Sequence, residues 1–199
     1  IIFIPYAAVG FTYQEYTAKV NVALSDEGVT VKNLDDFTDK NKAIAEASAI
    51  FVGGGNTFHL LKTLQDEGLI KSIQESVKSG VLYVGWSAGS NIAGPTICTT
   101  NDMPIVQPAS FNALDLINFQ INPHYTEEIL PNHGGESRLQ RLTEYLAANR
   151  NDSVACLPEA TYLTIEDGQV KYFGTSDGKI LTFKAEAIIR NNEMVEIAK

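Results

Sequence analysis

The sequence predicts an α/β fold in which a mostly parallel sheet has helices on both faces and a β-hairpin follows near the carboxyl terminus. Strand-like and helix-like segments alternate as far as residue 94. The strand-like segments are continuous apolar runs, which are typical of strands buried on both faces of a parallel sheet. The chain has 199 residues, and we predict that it forms a single domain, 1–199.

Each element of the alternating part has a local signal. The predicted strands are the runs rich in β-branched and aromatic residues at 1–7, 29–34, 48–55 and 81–86. The predicted helices are 13–28, 39–47, 56–68 and 69–80. Asn56 can cap the third helix, and Gly28, Gly68 and Gly80 stand at helix ends, where glycine is common.

The second half of the chain follows a looser pattern. Residues 96–116 read as a long loop, and long loops in compact domains are usually functional. The elements predicted after it are a strand at 119–125, a helix at 134–150, a strand and turn at 153–160 and a strand at 179–189. Between the last two, Asp167-Gly168 joins two strand-like runs and predicts a hairpin over 161–174.

Composition excludes several classes of protein. Fifteen basic and 24 acidic residues give a net charge of −9, which argues against a nucleic-acid partner. No apolar run approaches the roughly 20 residues of a membrane helix, and no signal-peptide pattern is visible. Cys98 and Cys156 form no disulfide framework, so we expect a cytoplasmic protein. We expect no metal, because no His/Asp/Glu cluster has ligand spacing, and we also expect no cofactor and a monomer or homodimer.

The motif Gly85-x-Ser87-x-Gly89 lies between a predicted strand and a predicted helix, as a nucleophile elbow does. A sharp strand-to-helix turn brings the residues two before and two after the serine close together, so that small residues are needed there. The N–H of Ala88 could then stabilise an oxyanion formed at Ser87.

A second glycine loop, 52–58, also follows a strand and opens a helix. It lacks the Gly-Lys-Ser/Thr of a phosphate-binding loop, and Phe58 stands where a dinucleotide-binding loop has its third glycine. We interpret Gly55 as a second backbone N–H donor facing Ser87, because ligand sites of open α/β sheets lie at the carboxyl edge of the strands.

A serine nucleophile needs a base, and the chain has three histidines. His59 lies on a helix face with polar neighbours and reads as solvated. His133 lies in a polar loop and could contact substrate. His124 follows a short strand and Pro123, where a fixed catalytic side chain is expected, and we favour it as the base.

Three carboxylates can orient that base. Asp102 and Asp115 precede His124, and either would give the Ser–acid–His order of α/β-hydrolases. Glu159 follows a buried strand and would give the order Ser–His–acid, on a different fold with a convergent site. Position alone does not separate Glu159 from Asp102.

The segments LYVGWSAGSNIAGPTICTTNDMPIV, LINFQINPHY and GGESRLQR closely resemble peptidase E, the aspartyl dipeptidases of the serine peptidase family that includes the cyanophycinases. The resemblance covers nearly the whole chain. It implies a fold like that of class I glutamine amidotransferases, with an additional strand and helix before the segment that begins here at Ile1. It also implies a glycine after Glu159, where this chain has Ala160.

The implied activity is hydrolysis of dipeptides with an N-terminal aspartate, so the expected partner is a small acidic peptide. The resemblance implies Ser87 as nucleophile, His124 as base and Glu159 as the acid. It implies Gly55 and Ala88 as oxyanion donors.

The resemblance implies that Arg138 is the residue that binds the side chain of the substrate aspartate. Without the resemblance, Arg138 and Arg141 would be interpreted as the solvated face of a helix. A chain of net charge −9 that binds an acidic residue needs such a positive group. The alternatives are a cyanophycinase-like β-aspartyl peptidase and a binding protein that has kept an inactive elbow. A glutaminase is disfavoured, because that chemistry uses cysteine where Ser87 stands.

Overall fold

The computed structural model describes residues 1–128 and 134–197. The chain divides into two compact units, Ile1–Ile117 and Asn118–Lys199. None of the helices in the described residues is long and apolar enough to cross a membrane.

The first unit contains a four-stranded, wholly parallel sheet in the order β2-β1-β3-β4. The strands are β1 (Ile2–Ile4), β2 (Lys32–Asn33), β3 (Ala49–Val52) and β4 (Leu82–Gly85). The helices are α1 (Tyr13–Ala23), α2 (Lys40–Ala45), α3 (Thr57–Asp66), α4 (Ile70–Lys78) and α5 (Ala88–Asn91). The main core has Ile4, Ile44, Ile50, Leu61 and Ile73 among its fully buried members. A second, smaller cluster packs Val20 of α1 against Phe3 and Val31.

Local sequence signals explain where these helices begin and end. Thr12 and Glu15 form a capping box at the start of α1, and Asn56 caps α3 as predicted by accepting from the His59 N–H. The helix that the sequence predicts at 13–28 is shorter in the structure. Helix α1 stops at Ala23, and a short 3₁₀ turn leads from there to Gly28.

The second unit contains two sheets. One has the order β10-β9-β6-β5, in which β5 and β6 are parallel and the other pairs are antiparallel. The other is antiparallel, in the order β11-β8-β7. The elements are β5 (Gln120–Pro123), α6 (Arg138–Ala148), β6 (Ser153–Leu157), β7 (Thr161–Glu166), β8 (Gln169–Gly174), β9 (Gly178–Thr182), β10 (Glu186–Ile189) and β11 (Glu193–Val195).

The predicted mixed α/β class with a mostly parallel sheet and additional antiparallel strands is confirmed. The hairpin at Asp167-Gly168 is confirmed as well, since both residues have positive φ and join β7 to β8. The single strand predicted at 179–189 is wrong. A turn closed by the hydrogen bond from Ala185 N to the Thr182 hydroxyl splits it into the antiparallel pair β9 and β10.

The two cysteines differ in accessibility, which can be measured on the native protein. Cys98 is exposed, whereas Cys156 is buried in β6, and burial raises the pKa of the Cys156 thiol. Because the thiolate is the reactive form, we predict that native protein reacts rapidly with dithionitrobenzoate at Cys98 and that Cys156 reacts after unfolding. Cys98→Ser should abolish the rapid phase. Rapid reaction of both thiols in folded protein would contradict the burial of β6.

Candidate active site

Ser87 lies in a strained turn between β4 and α5. Its backbone has φ 54° and ψ −113°, a conformation that costs a non-glycine residue on the order of 1–3 kcal/mol. Ser87 is the residue before the first helical position, yet its hydroxyl makes no capping hydrogen bond. The hydroxyl is therefore available for chemistry, in the geometry that the elbow motif predicts.

The glycines on either side of Ser87 are required by close backbone contacts. A Cβ at Gly85 would lie 2.4 Å from the Gly89 carbonyl oxygen, and a Cβ at Gly89 would lie 2.2 Å from the Val52 carbonyl oxygen. The Tyr83 hydroxyl donates to the Gly89 carbonyl at 2.7 Å, and burial raises the pKa of Tyr83, so it remains a neutral donor. These contacts hold the elbow in its turn.

The second glycine loop lies against Ser87. A Cβ at Gly54 would be 2.8 Å from the Ser87 Cβ and 3.3 Å from its Oγ. Gly55 has φ 137°, and a Cβ there would meet the Ala7 carbonyl oxygen at 2.2 Å. That same carbonyl accepts from Asn56 N at 2.8 Å and so fixes the loop. Sequence reasoning named Gly55 and missed Gly54 as the residue in contact with Ser87, although the run of three glycines was a signal.

Trp86 fixes the side of the elbow that faces α1. Its indole Nε1 donates to the Tyr16 hydroxyl at 3.1 Å, and its ring stacks on Phe3 with 5.7 Å between centroids. A Cβ at Gly53 would lie 2.7 Å from the Tyr16 ring, so the glycine loop also packs against this aromatic group.

Asp102 has a structural partner in the first unit. Its carboxylate accepts from Thr57 N at 2.7 Å, at the amino end of α3, where a negative charge is favourable. Asn56 Nδ2 donates to the Met103 carbonyl at 2.8 Å, so the loop after α5 is tied to the glycine loop. Asp115 has φ 48°, and its N–H donates to the Gly94 carbonyl at 3.0 Å in the same unit.

In the second unit, His124 and Glu159 are brought together. Pro123 ends β5 and pairs in parallel register with Leu157, which ends β6, so the residues after both strands emerge at one edge. The His124 Nδ1 lies 2.5 Å from Glu159 Oε1. A carboxylate can only accept, so Nδ1 carries the proton and Nε2 is left to exchange one.

Arg138 lies close to the same strand end. It is the first residue of α6, whose start is fixed by a capping box between Ser137 and Gln140. Its Nη1 donates to the Pro123 carbonyl at 3.2 Å, directly before His124. None of the ion pairs within residues 1–128 and 134–197 involves Arg138, so its remaining N–H groups can bind a carboxylate.

The other candidates considered from sequence have different positions. His59 is not solvated as predicted, because it is half-buried and its Nδ1 lies 2.7 Å from the Tyr6 carbonyl oxygen. His133 lies outside the described residues. Arg141 is exposed and lies 3.9 Å from Glu136. Across the described parts of the chain, no group of three His, Cys, Asp or Glu side chains could hold a metal ion.

The predicted site residues are therefore distributed over both units, with Ser87, Gly55 and Ala88 in the first and His124, Arg138 and Glu159 in the second. A family model described as Peptidase family S51 matches residues 1–194. The chain belongs to peptidase family S51. It is therefore a peptidase, and the resemblance found in the sequence is confirmed.

Relatives named peptidase E are also similar to this chain. Peptidase E of Nostoc sp. is 46% identical over 186 residues, which are 94% of this chain and 77% of that protein. Peptidase E of Citrobacter koseri is 44% identical over 187 residues, which are 94% of this chain and 82% of that protein.

Solved structures agree on the fold. A Listeria monocytogenes protein whose name assigns it to peptidase E matches with a TM-score of 0.70 at 28% identity, over 88% of this chain and 86% of that one. A peptidase from an acI-B1 actinobacterium matches with a TM-score of 0.76 at 19% identity, over 99% of this chain and 83% of that one. The second likeness shows the fold alone.

Ala160 gives a stability test of the backbone next to Glu159. It has φ 56°, which favours glycine, the residue that the family resemblance led us to expect there. We predict that Ala160→Gly raises the free energy of unfolding by about 1 kcal/mol in urea titrations, because the left-handed strain is removed. The matched control is the exposed Ala147→Gly in the last turn of α6, which should lower the free energy of unfolding by less than the roughly 1 kcal/mol that glycine costs in a helix interior. Destabilisation by both changes would show that Ala160 is not strained.

Proposed function

We propose that the protein is a serine exopeptidase that hydrolyses dipeptides with an N-terminal aspartate through an acyl-enzyme. The observation on which this rests is the contact of the half-buried Arg138 guanidinium with the Pro123 carbonyl, one residue from the His124–Glu159 pair. A carboxylate-binding group thus lies beside a histidine that a carboxylate orients. The name peptidase E of the relatives at 43–46% identity supports the same proposal.

In the proposed mechanism, the Ser87 hydroxyl attacks the carbonyl of the first residue. His124 Nε2 takes the hydroxyl proton and returns it to the leaving amine, and a water molecule then hydrolyses the acyl-enzyme by the same steps. Glu159 keeps the Nδ1–H tautomer and stabilises the imidazolium. The N–H groups of Gly55 and Ala88 donate to the oxyanion.

Charge explains why an arginine would select the substrate. The chain has a net charge of −9, which repels an acidic peptide at long range. A guanidinium can bind a carboxylate through two parallel hydrogen bonds, and this bidentate contact favours aspartate over its neutral amide. We further propose that the enzyme acts in the cytoplasm, since both cysteines are free thiols. We also propose that it is a monomer or homodimer.

The nucleophile is tested by Ser87→Ala. We predict that hydrolysis of Asp-Leu falls by at least about 10⁴-fold, while the melting temperature is kept, because the hydroxyl takes no part in capping α5. A serine-directed fluorophosphonate should label the wild-type protein and not this variant. Ser79→Ala, at the end of α4, is the control and should keep both activity and labelling. Hydrolysis that survives Ser87→Ala would assign the nucleophile to another residue, and a wild-type protein that is not labelled would favour a non-catalytic binding protein.

The specificity role is tested by Arg138→Ala. We predict that kcat/KM for Asp-Leu falls about 100-fold or more. The fold loss in kcat/KM for Asn-Leu should be smaller by a factor of about ten or more, because only aspartate offers a side-chain carboxylate. Some loss on Asn-Leu is expected, since Arg138 also contacts the strand end before His124. Arg141→Ala, which removes an exposed guanidinium, should leave both rates unchanged.

Equal losses on Asp-Leu and Asn-Leu would remove Arg138 from the specificity role. The wild-type panel should also contain Glu-Leu and β-aspartyl-arginine. Preference for β-aspartyl-arginine would support the cyanophycinase-like alternative.

A further inference from the structure

A cluster of buried and half-buried polar side chains connects the Ser87 turn to the glycine loop within the first unit. We call it the Thr57 cluster, and it consists of Thr57, Asn91, Thr100 and Asp102. The Thr57 Oγ1 accepts from Asn91 Nδ2 at 3.2 Å and from the Thr100 hydroxyl at 3.1 Å. Asp102 closes the cluster, because its carboxylate accepts from Thr57 N and its own N–H donates to the Thr100 hydroxyl at 3.2 Å.

The members stand at the ends of the two segments that meet at Ser87. Thr57 is the first residue of α3 and stands two residues after Gly55, within the glycine loop. Asn91 is the last residue of α5, and its backbone N–H donates to the Ser87 carbonyl at 3.0 Å. A single hydroxyl therefore connects the helix that follows the nucleophile to the helix that follows Gly54 and Gly55.

The two residues that make this connection are buried. Thr57 is 0% exposed and Asn91 is 4% exposed. A buried polar group without its partner is costly, so the hydrogen bonds of the Thr57 cluster permit one relative position of α3 and α5. Apolar contacts alone would be less directional and would allow small shifts between the two segments.

We infer that Thr57 is a positioning residue whose hydroxyl sets the distance between the glycine-loop amides and the Ser87 Oγ. The inference rests on the proposed function, because it assigns those amides to the oxyanion. Thr57 acts through Asn91 and the glycine loop and has no contact of its own with the reacting atoms.

The test compares Thr57→Val, which replaces the hydroxyl by a methyl group, with Thr57→Ser, which keeps it. A displacement of the oxyanion donors weakens transition-state binding more than substrate binding. We expect Thr57→Val to lower kcat for Asp-Leu by about 10- to 100-fold with KM changed less than about twofold. Thr57→Ser should stay within about threefold of the wild-type kcat.

A second readout does not depend on the dipeptide. The rate of labelling by a small neutral fluorophosphonate depends on Ser87 and on the oxyanion donors, and it makes no use of a substrate carboxylate. Thr57→Val should slow this labelling by a factor similar to its effect on kcat, and Thr57→Ser should not. The control is Thr63→Val on the same helix, whose hydroxyl donates to the His59 carbonyl at 2.9 Å, and it should change neither rate.

Each outcome decides the inference. A folded Thr57→Val protein that is labelled at the wild-type rate would overturn it. Thr57→Ser would also overturn it if its kcat and labelling rate fell as much as those of Thr57→Val. If Thr57→Val does not fold, Thr100→Val removes a half-buried member of the same cluster and should slow labelling, whereas an unchanged rate would overturn the inference. Normal labelling of the wild type without hydrolysis of Asp-Leu would reject the proposed substrate alone, and failure of Ser87→Ala to abolish labelling would reject both.

Discussion

The turn between β4 and α5 is the constraint on which the geometry of the first unit depends. Gly85 ends the strand and Ala88 begins the helix, so the chain reverses within two residues and forces Ser87 to a positive φ. The turn brings Gly89 against the Val52 carbonyl, so that no side chain fits there. Its strain is offset by the packing of the surrounding elements, and it leaves the serine hydroxyl outside the helix cap, where it can react.

The second unit has a related arrangement at two neighbouring strand ends. His124 has φ 54° directly after β5, and Ala160 has φ 56° shortly after β6. The histidine side chain is 45% exposed and the Glu159 side chain 80% exposed, so the hydrogen bond between them contributes little stability by itself. Their orientation depends instead on the backbone, where Tyr125 N donates to the Leu157 carbonyl at 2.9 Å and holds the chain after the histidine against β6.

The sequence was sufficient to predict the backbone conformation where a residue pattern reflects local sterics. The spacing of the glycines around Ser87 and the pair Asp167-Gly168 each predict a backbone conformation that the structure has. The sequence was insufficient where a tertiary contact determines the conformation or the packing. The turn between β9 and β10 has no glycine or proline and depends on a hydrogen bond from Ala185 N to the Thr182 hydroxyl. Likewise, the run of three glycines signals a close approach without showing that Gly54 is the one against Ser87, because that contact depends on the residues that follow the neighbouring strand.

The carboxylate partner of His124 could not be identified from the sequence pattern alone either. In the sequence, a carboxylate that orients a histidine and one that caps a helix look alike, and Asp102 and Glu159 both follow plausible elements. The structure gives them different partners, since Asp102 accepts from the amino end of α3 and Glu159 lies against His124 Nδ1. In the proposed function, Arg138 then has two uses, because one N–H contacts the Pro123 carbonyl and the others remain for a substrate carboxylate. A planar guanidinium can make both contacts at once, whereas an ammonium group cannot make a bidentate one, so lysine is a poor substitute at this position.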